Sequence, residues 1–75
     1  MNLNQCVLNA SCKIINIDID DQKLKFRLQE IGFFRGNVIR VLKKSFLKKT
    51  LLVKVLNSCF AMKSSMALKI QVEYE

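Results

Sequence analysis

The chain can reverse direction at little conformational cost in only two places. It contains no proline, and its two glycines, Gly32 and Gly36, stand close together. Every other turn must be made by Asn, Asp, Ser or Lys, which support turns through side-chain hydrogen bonds or tolerance of positive φ. The glycine pair also marks a change of period. Ahead of it, Leu24, Leu28 and Ile31 recur at spacings of four and three, while behind it residues 38–42 are almost continuously apolar. This predicts a helix of about three turns. It begins at Asp20-Asp21-Gln22, where acid meets the positive end of the helix dipole. Gly32 closes it as a left-handed cap, and Gly36 supplies the positive φ with which residues 33–37 turn the chain into a strand.

The remaining segments read as short strands. Residues 3–8 suit one helical turn capped by Asn2 or Asn4, followed by a turn at Asn9-Ala10. Residues 11–19, with Ile14, Ile15, Ile17 and Ile19, form the first strand. In the second, residues 38–42, Ile39 and Val41 share one side. The third, residues 51–57, places Leu51, Val53 and Val55 on one face and Leu52, Lys54 and Leu56 on the other, and pairs antiparallel with the second. Between them, residues 43–50 form a long basic hairpin tip carrying Phe46 and Leu47. A tight turn at Asn57-Ser58 leads into residues 59–63, and residues 64–67 fit a single α or 3₁₀ turn. Finally Leu68, Ile70, Val72 and Tyr74 alternate with polar neighbours, the pattern of a half-buried strand. At 75 residues there is room for one domain, spanning 1–75. The expectation is a mainly β fold: a small five-stranded barrel, closed or nearly closed, with one inserted α-helix and a short N-terminal helical turn. An open sheet is the alternative, and closure is preferred because it satisfies edge amides.

Charge narrows the functional classes. Thirteen Lys and Arg against six Asp and Glu give a formal charge of +7, and no acidic residue occurs between Glu30 and Glu73. That interval holds Arg35, Arg40, Lys43, Lys44, Lys48, Lys49, Lys54, Lys63 and Lys69. One side must be strongly positive, suited to nucleic acid, anionic lipid or an acidic protein. Catalysis is not expected: the chain has no histidine, no G-x-S-x-G elbow and no glycine-rich phosphate loop, and Asp20-Asp21 serves the helix. Cys6, Cys12 and Cys59 form no C-x-x-C pair, so no metal centre and no cofactor are implied. They are expected as reduced packing thiols of a cytoplasmic chain, with Cys12 and Cys59 able in principle to approach across strands. The apolar runs are far shorter than the roughly 20 residues of a membrane span.

Three features could meet a partner. Phe33 and Phe34, beside Arg35, lie on a helix-to-strand turn, where either one ring is an exposed anchor or both close the barrel mouth. Val38, Leu42, Leu52 and Leu56 make an apolar patch on the outer face beside Arg40 and Lys54, either an interface or a surface covered by the N-terminal turn or the helix. Phe46 and Leu47, between two lysine pairs that include Lys48, are placed to meet a partner or another copy of the chain.

Residues 26–41 together resemble the central signature of the FeoA family, through Arg27, Leu28, Ile31, Gly32, Phe33, Gly36, Ile39 and Val41. The likeness extends along the chain through Leu3, the strand around Ile14 and Ile17, Val53 and Val55, Ala61-Met62, and Ala67, Ile70 and Val72. Asn9 and Asn57 stand where the family usually has glycine, and Arg35 where proline is frequent; asparagine tolerates positive φ, so both turns can survive. The resemblance implies an SH3-like barrel acting as a cytoplasmic accessory of bacterial ferrous iron uptake, at or near the inner face of the membrane. Its implied partner is FeoB, the membrane GTPase, whose cytoplasmic part such domains touch to adjust assembly or nucleotide turnover; self-association is left open. The alternative is a basic SH3-like nucleic-acid-binding domain, RNA-directed or ribosome-associated, because Gly36 through Val41 also resemble the turn-strand motif of such domains. A stand-alone relative of the SH3-like tail of metal-dependent repressors is disfavoured, since no DNA-binding helices are attached.

Overall fold

The computed structural model describes residues 1–75. A 3₁₀ turn (Leu3–Gln5) precedes β1 (Ser11–Ile17), α1 (Gln22–Ile31), β2 (Val38–Ser45), β3 (Thr50–Val55), β4 (Ser58–Lys63), α2 (Ser64–Ala67) and β5 (Ile70–Tyr74). The five strands form one antiparallel sheet in the order β4-β3-β2-β1-β5. Its concave face encloses a core of 17 apolar residues and no buried polar one, with Phe33, Ile14, Leu28, Ile39, Val53 and Val72 among its fully covered members.

The mainly β, SH3-like architecture is the expected one, but no ladder joins β4 to β5, so the barrel is a curled open sheet. The edge amides of β5 are met differently. The N-terminus folds along them, with Val72 N donating to Met1 O at 2.8 Å and Asn2 bridging to Gln71. The single turn α2, whose Ala67 is wholly buried, links β4 to β5 and packs against β4, β3 and the N-terminal 3₁₀ turn. β4 has no backbone hydrogen bond beyond its ladder with β3.

Helix α1 starts and stops as its sequence dictates. Asp21 Oδ1 accepts from Lys23 N at 3.0 Å and Leu24 N at 3.2 Å, capping the first turn. At the other end Gly32 has φ 124°, Gly32 N donates to Gln29 O, and Phe33 N reaches back to Leu28 O at 2.8 Å. This is a Schellman motif, completed by the two buried side chains of Leu28 and Phe33. A methyl group on Gly32 would overlap Val55 Cγ1, so the helix end lies directly against β3. Gly36, at φ 93°, faces open space.

Several boundaries shift, each for a local reason. β1 ends at Ile17 rather than residue 19, after a bulge between Ile14 and Asn16; Asp18 N then donates to Lys69 O at 2.7 Å as the chain leaves for α1. β2 runs on to Ser45, so the hairpin tip shrinks from residues 43–50 to 46–49. The loop after β3 is Leu56-Asn57 instead of Asn57-Ser58, and the positive φ falls on Leu56, at 54°, instead of Asn57. Leu56 tolerates it while its Cδ1 packs against Gly32. Asn9 adopts positive φ, 67°, as expected of a residue in place of glycine. β5 starts at Ile70, leaving Leu68 exposed outside the strand.

A second bulge shapes the top of the sheet. Val41 pairs with Val53 but Lys43 pairs with Leu52, so Leu42 is an extra residue and the alternation of β2 reverses beyond it. Lys44, opposite the buried Leu51, therefore turns inward. Its Nζ donates to Asn4 O and Cys6 O, each at 2.8 Å, and satisfies free carbonyls at the end of the 3₁₀ turn.

Three substitutions test these constraints. Gly32→Ala is expected to lower unfolding free energy by about 3 kcal/mol in urea titrations, combining left-handed strain with overlap at Val55. Gly36→Ala, with strain alone, is expected to cost about 1 kcal/mol; equal losses would contradict the close approach at Gly32. Lys44→Met is expected to cost about 2 kcal/mol through its two charge-assisted hydrogen bonds, and to accelerate amide exchange in residues 2–7 selectively.

Candidate interaction surface

The sheet has a filled inner face and an outer face that carries a group of unpaired cations. On the outer face Arg40 lies directly opposite Lys54, and both are exposed. Like charges in register across two strands are destabilising, so the fold gains nothing from this arrangement. Lys43 opposite Leu52, and Lys63 on β4, extend the positive surface. The molecule's single ion pair, Lys13 to Glu73 at 3.7 Å, lies toward β5 and leaves those cations unneutralised. Val38, Leu42 and Leu52 are half-buried among them. Leu56 is separated from this group, since it leaves the strand for the turn and rests on the end of α1.

The adjacent phenylalanines divide. Phe33 is wholly buried and meets Phe60 edge-on, with ring centroids 5.6 Å apart. Moving it to the surface would forfeit about 2–3 kcal/mol of burial, a large share of a small domain's stability. Phe34 is 40% exposed and, with Arg35, borders a hollow of about 270 Å³ shared with Lys25 and Gln29 of α1. Asn37 Nδ2 fixes this corner by donating to Gly32 O at 2.6 Å. The hairpin tip lies elsewhere: Phe46, Leu47 and Lys48 are all exposed, the two apolar side chains at 93% and 99%. The ten candidate residues thus fall into a helix corner, an outer sheet face and a hairpin tip, with Phe33 in the core.

Phe26, 62% exposed on α1, was not singled out in sequence because the helix's apolar stripe runs through Leu24, Leu28 and Ile31. Its position two residues from both Leu24 and Leu28, on the face of the helix opposite that stripe, is the signal that would have found it.

Cys6 and Cys12 are buried packing thiols as expected, whereas Cys59 is not, and Cys12 does not approach it. Cys12 lies beside Cys6, with sulfurs 2.9 Å apart and both residues buried, while Cys59 is exposed on β4 opposite Lys54. Burial, reinforced by the shared hydrogen bond with Cys12, pushes the Cys6 thiol from 9.0 up to about 12. No three His, Cys, Asp or Glu side chains gather where they could hold a metal ion. No helix is long and apolar enough to cross a membrane.

A five-stranded antiparallel sheet curled around an apolar core, with a helix inserted after the first strand, defines an SH3-like domain. The chain belongs to the FeoA family: the FeoA domain model matches residues 1–74. The family is a small accessory domain of iron transport, not a known enzyme family. Among solved structures, the chain is similar to FeoA of Stenotrophomonas maltophilia, at 28% identity and TM-score 0.80, covering 97% of this chain and 89% of that one. That protein was solved complexed with zinc and is described as a prokaryotic SH3 domain protein and suggested ferrous iron transport activating factor. It is similar in fold to FeoA of Chlorobium tepidum, at 20% identity and TM-score 0.88, covering 99% of this chain and 70% of that one. It also matches iron(II) transport protein A of Clostridium thermocellum in fold, at 23% identity and TM-score 0.87 over 99% of this chain, and spans 45% of that chain's length. No curated protein matches the chain in sequence.

The thiols provide a direct check on this geometry. In the folded protein, iodoacetamide should modify Cys59 and spare Cys6 and Cys12 until denaturant is added, as read by intact mass. The raised thiol also sets a sign. In the unfolded chain Cys6 ionises from about 9, whereas in the folded chain it keeps its proton to about 12. Its contribution to stability is therefore complete below that window and lost as pH rises through it. The thermal midpoint should fall across pH 9–11, with a smaller fall in Cys6→Ala.

Proposed function

We propose that this chain is a cytoplasmic accessory module of ferrous iron uptake that acts by binding the cytoplasmic part of a FeoB-type membrane GTPase, without catalysis of its own. Family membership supports the transport context. The observation that carries the binding role is the outer face of β2 and β3: half-buried Leu42 and Leu52 among unpaired Lys43, Arg40 and Lys54, with the last two held opposite each other at a cost to the fold. Such a surface gives apolar contact for affinity and positive charge for orientation toward an acidic partner. Phe34 and Arg35, at the helix corner, offer a second contact on the same chain.

The alternative reading, a nucleic-acid-binding domain, draws on the same facing cations. Salt separates the two: contacts to several phosphates make affinity fall steeply with ionic strength, whereas an interface centred on Leu42 and Leu52 responds weakly. Co-purification with the membrane GTPase tests the proposal. Leu52→Asp should weaken association about tenfold or more, and Lys54→Glu should slow it, while both keep a near-native unfolding midpoint. Undiminished association of Leu52→Asp, or tight salt-sensitive binding of RNA with no association to the GTPase, would count against the reading.

A further inference from the structure

The hairpin tip has a shape and chemistry that the outer face does not explain. Residues 46–49 make a four-residue turn whose two apolar side chains, Phe46 and Leu47, are almost wholly in solvent. Its base is held firmly. Ser45 Oγ accepts from Lys48 N at 3.3 Å, Lys49 adopts φ 52°, and Lys49 O accepts from Ser64 N at 2.8 Å. These bonds anchor the base of the tip and reduce the ordering left to be done on binding.

Lysines collar this apex. On one flank Lys43 and Lys48 border a shallow hollow of about 220 Å³, and on the other Lys44 and Lys49 border one of about 250 Å³. Lys44 is engaged with the carbonyls of Asn4 and Cys6, which leaves Lys43, Lys48 and Lys49 free to meet anions. No acidic residue lies between Glu30 and Glu73 to oppose them.

We infer that this tip is a membrane-docking wedge: Phe46 and Leu47 enter the interfacial region of an anionic bilayer while Lys43, Lys48 and Lys49 bind headgroup phosphates. The convex form decides for a bilayer over a protein groove. An apex that projects two apolar groups above a ring of ammonium groups matches the depth order of a membrane surface, with acyl boundary below and phosphate above. Each signal is weak alone, and stable attachment needs the apolar and basic parts together.

This deepens the reading of the chain as a module working at a membrane transporter, but it is tested with lipid alone. The full chain is sedimented with vesicles of phosphatidylcholine containing phosphatidylglycerol, and with phosphatidylcholine only. Partition onto the anionic vesicles is expected, with little onto the neutral ones. Lys48→Gln with Lys49→Gln should reduce partition about 25-fold, at roughly fivefold per lysine. Phe46→Ser with Leu47→Ser should reduce it about tenfold or more at unchanged net charge. Because these side chains pack against little, the serine variant should keep its unfolding midpoint. Absence of partition onto anionic vesicles overturns the inference, and so does an unchanged partition of the serine variant, which would mark a merely electrostatic surface. If the GTPase is not bound but the vesicles are, the inference stands and the functional reading fails; the reverse result overturns the inference alone.

Discussion

The approach of the Gly32 backbone to Val55 is the contact on which the rest of the molecule is built. A Cβ there would occupy the space of the Val55 methyl, so only glycine lets the end of α1 settle onto β3. The left-handed cap that glycine permits also sets the direction of the next two side chains. Phe33 turns into the core against Leu28 and Phe60, and Phe34 turns out. Asn37 then fastens the corner by donating to the Gly32 carbonyl, and β2 leaves in register with β1. One missing side chain thus decides helix placement, core composition and the exposed aromatic at the corner.

The bulge at Leu42 has an equivalent role at the opposite end. Without it Lys44 would face outward with the other cations, and the N-terminal carbonyls of Asn4 and Cys6 would lack a donor. With it the N-terminal segment is tied down over the buried thiols, and its first residues cover the edge of β5 that an open sheet would leave bare. The sheet therefore has no need to close. Edge protection comes from the chain terminus on one side, and β4 alone remains unpaired.

What could be read from sequence follows from which interactions are local. The Asp21 cap, the Gly32 stop, the stripe of Leu24, Leu28 and Ile31 and the alternation of Ile39 and Val41 are set by residues within a turn or two of each other, and they appear where the sequence places them. The Leu42 bulge is a relation between two strands and leaves no mark in one of them, so the inward turn of Lys44 and the short hairpin tip were out of reach. The same holds for Leu56, which takes a backbone shape that Asn57 would accept more readily because its side chain meets Gly32 at the end of α1. The Cys6–Cys12 contact likewise depends on where the N-terminal turn comes to rest. Of the candidate surface residues, alternation alone could place Val38, Leu42 and Leu52 on the outer face, but it could not choose between Phe33 and Phe34.

The surface features are informative because the interior does not require them. The core contains no polar group, and its covered residues account for the fold without help from outside. Facing cations at Arg40 and Lys54, and exposed Phe46 and Leu47, each work against the isolated domain's stability or solubility. They belong to the same β2–β3 hairpin, one pair at mid-sheet and the other in the turn at its tip. A tip held in the membrane interface would set β2 and β3 upright, with Lys43 at the headgroups and Leu42, Leu52, Arg40 and Lys54 lifted by roughly 10–20 Å at about 3.3 Å per residue. At that height the outer sheet face would meet the proposed membrane-protein partner side-on. The two proposed surfaces would then act together: attachment through the tip would confine the domain near the bilayer, and the effective concentration of the sheet face for a membrane-embedded partner would rise without any new contact between them.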